Sequence, residues 1–460
     1  MISLNWLRYL RTRSLDAVTE DGRAAERYRL AAWAVLANIV SKSMAMAVMV
    51  LSVSLTIPYL GAQRFGVWMT VASFATMLSL LGLGVGNALV NHVAARRAIQ
   101  DPVLLRQAVT GGLGFLMLLG LVVGASLSML AVVLPWDRII KTDDAFLLME
   151  ARDAARLFAV LFGLSLLTTG IQSVFAGLQR NFEVHVVSAL GSMVSLGALW
   201  LAAHWQAGIP VLLAASFGIP LLSTFCLLGL LVRRDLISLH QFRIAVATET
   251  PGLLRIGGLF FVLQLGGMVG WGADTLIISS VLGPAQVAVY SVVQRLFQFV
   301  TQPLTMMNGP LWGAYADAHV KGDVKFIHHT LKLSMLATLG ISLVGALILF
   351  AVSQQLLKYW THGAVHVPVS LVGAMACWTV LDCCGSAFAM FLNGVRVVRE
   401  QVIVVTLFCA VVLPLKLLGI HQAGLIAIPA AAVLVYATTH LYLYGFVFYP
   451  RIRSAVTTAS

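Results

Sequence analysis

Four ionisable side chains stand inside long apolar runs of this 460-residue chain: Lys42, Asp274, Arg295 and Asp382. Charge at bilayer depth is expensive, and where it occurs it lines a pathway, couples an ion or pairs with another charge. Lys42 lies in ANIVSKSMAM, with Asn38 one helical turn earlier on the same face and Ser41 and Ser43 beside it. Such a polar face can look into a water-filled cavity, or the lysine can bond to a neighbouring helix. Asp274 follows a run containing Gly266, Gly267, Gly270 and Gly272. Each of those glycines costs a helix about 1 kcal/mol against alanine, which predicts a bend on which the span could pivot. Asp274 then either titrates with a coupling ion or pairs with Arg295. Asp382 is read in the same two ways, as an ion-coupling group or half of an internal salt bridge. Gln264, upstream of Asp274, and Gln294, beside Arg295, can add hydrogen bonds to a sugar. The candidate substrate-binding set is therefore Asn38, Lys42, Gln264, Gln294 and Arg295.

Other chemistry finds no support. No loop holds a Ser/His/Asp set or paired carboxylates, and no GxxxxGK[ST] motif is present, so neither hydrolase chemistry nor ATP hydrolysis is expected. The 11 histidines and 5 cysteines show no metal-ligand spacing. The expectation is a non-enzyme without metal or cofactor, with coupling to a proton or sodium ion left open. GLGVGNA, from Gly82, lacks the strand context of a dinucleotide loop and reads as close helix packing.

The elements that must position these groups are membrane spans. Hydrophobic residues make up 60% of the chain, charged residues 10%, and the mean hydropathy is +0.92. Apolar runs of roughly 20 residues give about twelve spans. Lys and Arg concentrate on one side: Arg8 to Arg29 in the N-terminal tail, then Arg96, Arg97, Arg180, Arg233, Arg234, Arg243, Lys325, Arg399 and Arg451 among others. The opposite side holds only Arg64, Arg138, Lys141, Arg152, Arg156, Lys358 and Lys416. The positive-inside rule then makes both termini cytoplasmic, as an even number of spans requires. The net charge of +12 is this bias spread over loops and not a nucleic-acid-binding face. In the tail, Trp6, Leu7, Tyr9 and Leu10 interleave with arginines; this reads as a short helix on anionic lipid or as a disordered basic tail.

The two halves are alike. Tyr59–Leu78 (YLGAQRFGVWMTVASFATML) matches Val281–Val300 (VLGPAQVAVYSVVQRLFQFV) through Leu60-Gly61 and Leu282-Gly283, Val67 and Val289, Trp68 and Tyr290. At a slightly different offset, Phe175–Val187 resembles Leu392–Val404, and Glu183 falls on Glu400. An even number of spans per repeat makes it parallel, with its axis along the membrane normal. The organisation expected is a basic segment 1–30, a bundle 31–232, a cytoplasmic linker 233–252, a second bundle 253–450 and a tail 451–460. Connections are short; 135–156 and 233–252 are the longest.

Ala37 to Ala94, with its amphipathic first span, its PYLGAQRFGVW turn and its GLGVGNALVN ending, resembles the opening of polysaccharide-biosynthesis flippases. These belong to the multidrug/oligosaccharidyl-lipid/polysaccharide exporter superfamily. The second half repeats the pattern with Asp274, Leu282-Gly283 and Tyr290. The resemblance implies an all-α polytopic membrane protein with two six-helix bundles, V-shaped around a central cavity. It implies a flippase carrying undecaprenyl-diphosphate-linked oligosaccharides from the cytoplasmic to the periplasmic leaflet of the bacterial inner membrane by alternating access. Exopolysaccharide, capsule or O-antigen synthesis would be served, with a polysaccharide polymerase and a chain-length regulator as partners beside the lipid-linked substrate and membrane lipids. Lys42 and Arg295 would hold the diphosphate. The rival from the same superfamily is a cation-coupled multidrug exporter, which wants acidic, aromatic-lined pockets. A peptidoglycan-precursor flippase would carry additional spans. A membrane glycosyltransferase or polymerase would need a larger outward loop than 135–156, and a mere scaffold would leave the repeat unexplained.

Overall fold

The computed structural model describes residues 20–99, 101–238, 242–251, 272–308, 311–320, 322–395 and 397–452, and these form an all-helical, polytopic membrane protein. Gln264, the glycine run through Gly270, most of the basic segment 1–30 and most of the tail 451–460 lie outside the described residues. In order, the helices are α1 (Glu20–Ala98), α2 (Pro102–Val133), α3 (Trp136–Ile140), α4 (Ala145–Gly177), α5 (Asn181–His204), α6 (Ile209–Arg233) and α7 (242–251). They continue as α8 (Asp274–Leu282), α9 (Pro284–Asn308), α10 (Leu311–Val320), α11 (Val324–Trp360), α12 (Val369–Gly394), α13 (Val398–Ala423) and α14 (Ala427–Tyr436). Two π-helical turns, Ala437–Leu441 and Leu443–Val447, extend α14.

Among the described residues, eight helical stretches are long and apolar enough to cross a membrane. Two of these, Leu36–Phe74 and Arg399–Val447, each run through two of the spans expected from sequence. The span expected at 285–312 is α9, whose glutamines and Arg295 make it more polar than the others.

Aspartates start several helices where the sequence demands it. Asp101 Oδ1 accepts from the Val103 and Leu104 amides at 2.8 and 3.3 Å, with Pro102 in the first helical position. Asp144 does the same for Phe146 and Leu147. That cap starts α4 at Ala145, so 145–156, expected as loop, is helix, and the connection after α2 is shorter than the sequence suggests.

The chain forms two compact units. One comprises Met1–Leu55, Leu78–Leu134 and Met149–Gln264; the other comprises Thr56–Met77, Pro135–Leu148 and Leu265–Ser460. The first is centred on Leu89, Val109, Leu113, Leu116, Ile171 and Phe175, contributed by α1, α2 and α4. The second has one apolar cluster around Tyr315, Phe391 and Val404 and another around Phe408, Val412 and Val435.

The internal repeat is visible in backbone geometry. Gly61 has φ 68° and ψ 174°, and Gly283 has φ 88° and ψ 171°. Both turns use a conformation that side-chain-bearing residues rarely adopt. The Glu183–Glu400 match is equally concrete. Glu183 pairs with Arg234 at 3.0 Å and Glu400 with Arg451 at 3.3 Å, each across 51 residues. Each pair ties the start of one helix to the chain just past the end of the next, in its own unit.

A Cβ at position 61 would meet no atom within 4 Å. Gly61→Ala should therefore act through the backbone alone and lower stability by about 1–3 kcal/mol. A lowered thermal unfolding midpoint in detergent checks this; an unchanged midpoint would show that the turn does not hold that geometry.

Candidate functional site

The first unit presents Lys42. It lies on α1, exposed, with half-buried Asn38 one turn before it and Ser41 buried behind it. Trp33 packs edge-on against Phe182 at 5.8 Å, bringing α1 against the start of α5. Just beyond Phe182 on α5, His185 comes within electrostatic reach of Lys42. Lys42 is thus a cation suited to an anion at this end of the unit, with an imidazole near it.

The second unit holds the other three charges. Asp274 begins α8, straight after a bend at Ala273. Its Oδ1 accepts from the Lys416 ammonium at 2.5 Å and its Oδ2 from the Tyr290 hydroxyl at 2.8 Å. Only 3% of the Lys416 side chain and 13% of Asp274 is exposed. Both carboxylate oxygens are engaged, and the ion-pair partner is Lys416, where the sequence pointed to Arg295. Lys416, counted from sequence with the outward-side loops, stands inside α13, shortly after Pro414. Arg295, half-buried on α9, sets its Nη2 3.1 Å from the Met69 sulfur, and Gln294 beside it is half-buried too.

Asp382, near the middle of α12, faces a partly open cavity of about 520 Å³ in the second unit. Phe388, Gln401, Tyr436, His440 and Tyr444 help line it. The Tyr436 and His440 rings stack at 3.7 Å. Among the described residues no group donates a hydrogen bond to the Asp382 carboxylate. A carboxylate among aromatic faces can take a proton or a cation.

The model of the family described as "Polysaccharide biosynthesis protein" matches residues 29–311, which carry Lys42, Asp274 and Arg295. The chain belongs to the polysaccharide biosynthesis protein family. A second model, MatE, matches residues 261–418. No curated protein matches the sequence. Among solved structures, this polysaccharide biosynthesis protein resembles a multidrug resistance MATE family transporter of the MOP superfamily in an inward-facing conformation. The TM-score is 0.77 at 15% identity, over 92% of this chain and 100% of that one. It also resembles the lipid II flippase MurJ in an inward closed conformation, with TM-score 0.72 at 11% identity over 92% and 90%. A MOP superfamily transporter from Pyrococcus furiosus, whose binding pocket is described as of reverse polarity, gives 0.64 at 14% over 93% and 96%. At these identities the likeness establishes the fold, that of transporters built as two helical bundles.

Two residues of the site escaped the sequence reading. Lys416 has a usable signal, since it lies within the apolar run 402–420, which reads as a span. His185 has none, because a neutral imidazole near a span end is unremarkable until α1 is seen beside α5.

Lys416→Met should strand the Asp274 charge and lower stability by about 3–5 kcal/mol. Adding Asp274→Leu should recover most of the loss, because the buried charge then goes with its partner. Thermal unfolding of the purified single and double variants measures this, and equal losses in both would refute the pairing.

Proposed function

We propose that this protein is a flippase that carries undecaprenyl-diphosphate-linked oligosaccharides from the cytoplasmic to the periplasmic leaflet by alternating access. The observation that carries the reading is Lys42, an exposed cation on a polar helix face within the segment matching the polysaccharide biosynthesis family. A diphosphate and its sugars cannot enter hydrocarbon unaided, because their polar groups lose water without replacement. Lys42, with His185 beside it, offers charge-assisted hydrogen bonds to the diphosphate. Asn38, Gln264 and Gln294 are the amides assigned to the sugars, and Arg295 supplies a further cation. Asp274 is neutralised by Lys416, so Asp382 is the carboxylate left to bind a coupling proton or sodium ion. The setting is the bacterial inner membrane with both termini cytoplasmic, and the product would feed a polymerase and a chain-length regulator in exopolysaccharide, capsule or O-antigen synthesis.

One observation favours a second reading, the cation-coupled multidrug exporter. The Asp382 cavity, with Tyr436, His440 and Tyr444, is the acidic aromatic pocket such an exporter wants. The likeness to the multidrug resistance transporter agrees with it.

Deleting the gene in its host and examining lipid-linked species by mass spectrometry separates the two. Accumulation of an undecaprenyl-diphosphate oligosaccharide, cleared by the wild-type copy, is the expected result. A copy carrying Lys42→Ala should clear it about tenfold or more slowly at normal protein level, as expected for losing a charged hydrogen bond. No accumulation, together with new sensitivity to cationic drugs, would refute the flippase reading in favour of the exporter.

A further inference from the structure

The connection between α2 and α4 takes no part in the site above. It is built around α3, whose Trp136 and Ile140 are buried, and Lys141 follows in the left-handed region at φ 47°. The Lys141 ammonium donates to the Val281 carbonyl. That carbonyl lies in the last turn of α8, where helices leave acceptors unpaired. At the other end of the connection the Arg64 guanidinium sits over the Phe146 ring, 5.6 Å from its centroid. Val281 precedes Gly283 and Arg64 follows Gly61, so one short segment grips both turns of the internal repeat. The turns also touch directly, since a Cβ on Gly66 would overlap the Pro284 carbonyl. Around that contact Phe65, Val67, Trp68, Val287 and Ala288 are buried. All of these residues lie in the second unit, although 56–77 and 135–148 come from the first half of the chain.

We propose that residues 135–148 form a clasp that holds the two repeat turns together and has to release whenever they part. The proposal rests on the alternating-access reading above. The Gly66–Pro284 contact is made by backbone, so these surfaces fit only when fully seated and cannot yield by side-chain movement. The clasp contacts are of another kind. Lys141 and Phe146 are exposed, and a single ammonium–carbonyl bond and a single cation–π contact can each break and re-form without unpacking a core. Trp136, Ile140 and Leu147 stay buried and keep the segment anchored while Lys141 and Phe146 let go. The segment tethers α2 to α4, so its release would be felt by helices of the first half of the chain.

The test is thiol accessibility in detergent micelles. The native cysteines are replaced, and Val289→Cys is introduced, a position 8% exposed beside the turn contact. Labelling by a soluble maleimide should be slow with the clasp intact. It should be about tenfold faster in Lys141→Ala/Phe146→Ala, the combined effect of a lost cation–π contact and a lost charged hydrogen bond. Phe146→Trp, which keeps a ring under Arg64, should label at the parent rate. Leu116→Cys, fully buried in the first unit, should stay protected in every background. Equal rates with and without the clasp residues would overturn the proposal. So would a parallel rise at position 116, since the segment would then be merely a structural support. The assay needs no substrate, so a failed clasp leaves the flippase reading standing, and a failed search for lipid-linked cargo leaves the labelling result readable.

Discussion

Inside a bilayer two apolar helices gain little by meeting, since lipid already covers each of them as well as the other would. Association therefore depends on close packing and on polar contacts. The glycines show where the first of these operates. A Cβ on Gly163 would fall 2.5 Å from the Gly120 carbonyl, so α2 and α4 cross almost backbone to backbone. In the second unit Gly394 leaves no room beside the Tyr315 Cβ and the Trp312 carbonyl, which seats α12 on α10. Gly385 does more than pack. The Tyr436 hydroxyl occupies the space its side chain would fill, and this sets the Tyr436 ring against His440. The cavity faced by Asp382 thus depends on a missing methyl group on the same helix. Gly385→Ala would displace the tyrosine before it touched anything else.

Polar contacts then divide into those the fold consumes and those it leaves open. Asp274, Lys416 and Tyr290 close on one another, and in a low-dielectric setting such a group is worth most when complete and is most damaging when broken. Lys42 and Asp382 are different. One is exposed on α1, and the other faces a cavity and accepts no hydrogen bond from the described residues. Charges that do not serve packing, at a depth where charge is costly, are the ones to assign to transport. This physical sorting separates Asp274 from Asp382, which their sequence contexts could not do.

Much of the fold was legible because hydropathy and glycine carry it. Apolar runs located the spans, and the repeated Leu-Gly pairs at Leu60-Gly61 and Leu282-Gly283 located two turns of the same backbone geometry. Glu183 and Glu400 match in sequence, and the structure shows why: each holds an arginine 51 residues on. The site was less legible. Pairing is a property of side chains on distant helices, so Asp274 was weighed against Arg295, which is near in sequence, while its partner Lys416 lies in α13. The start of α4 was missed because 145–156 is charged enough to read as loop, whereas Asp144 caps a helix that extends beyond the apolar run.

The repeat itself sharpens the functional argument. At the offset that places Gly61 on Gly283, Lys42 falls on Gln264, Ser52 on Asp274 and Ser73 on Arg295. At the offset that places Glu183 on Glu400 and Arg234 on Arg451, Leu199 falls on Lys416. The turn glycines and the Glu–Arg ties are present twice because each bundle needs them to fold. The charges at span depth are present once, and the first unit folds with Ser52 and Leu199, both buried, where the second has an ion pair. A six-span bundle of this plan therefore does not require those charges to stand. Of the charges not consumed by the Asp274–Lys416 pair, Lys42 stands in the first unit and Asp382 in the second, together with Arg295. On the function proposed above, the first bundle would offer Lys42 to an anionic cargo and the second would offer Asp382 to whatever drives the cycle.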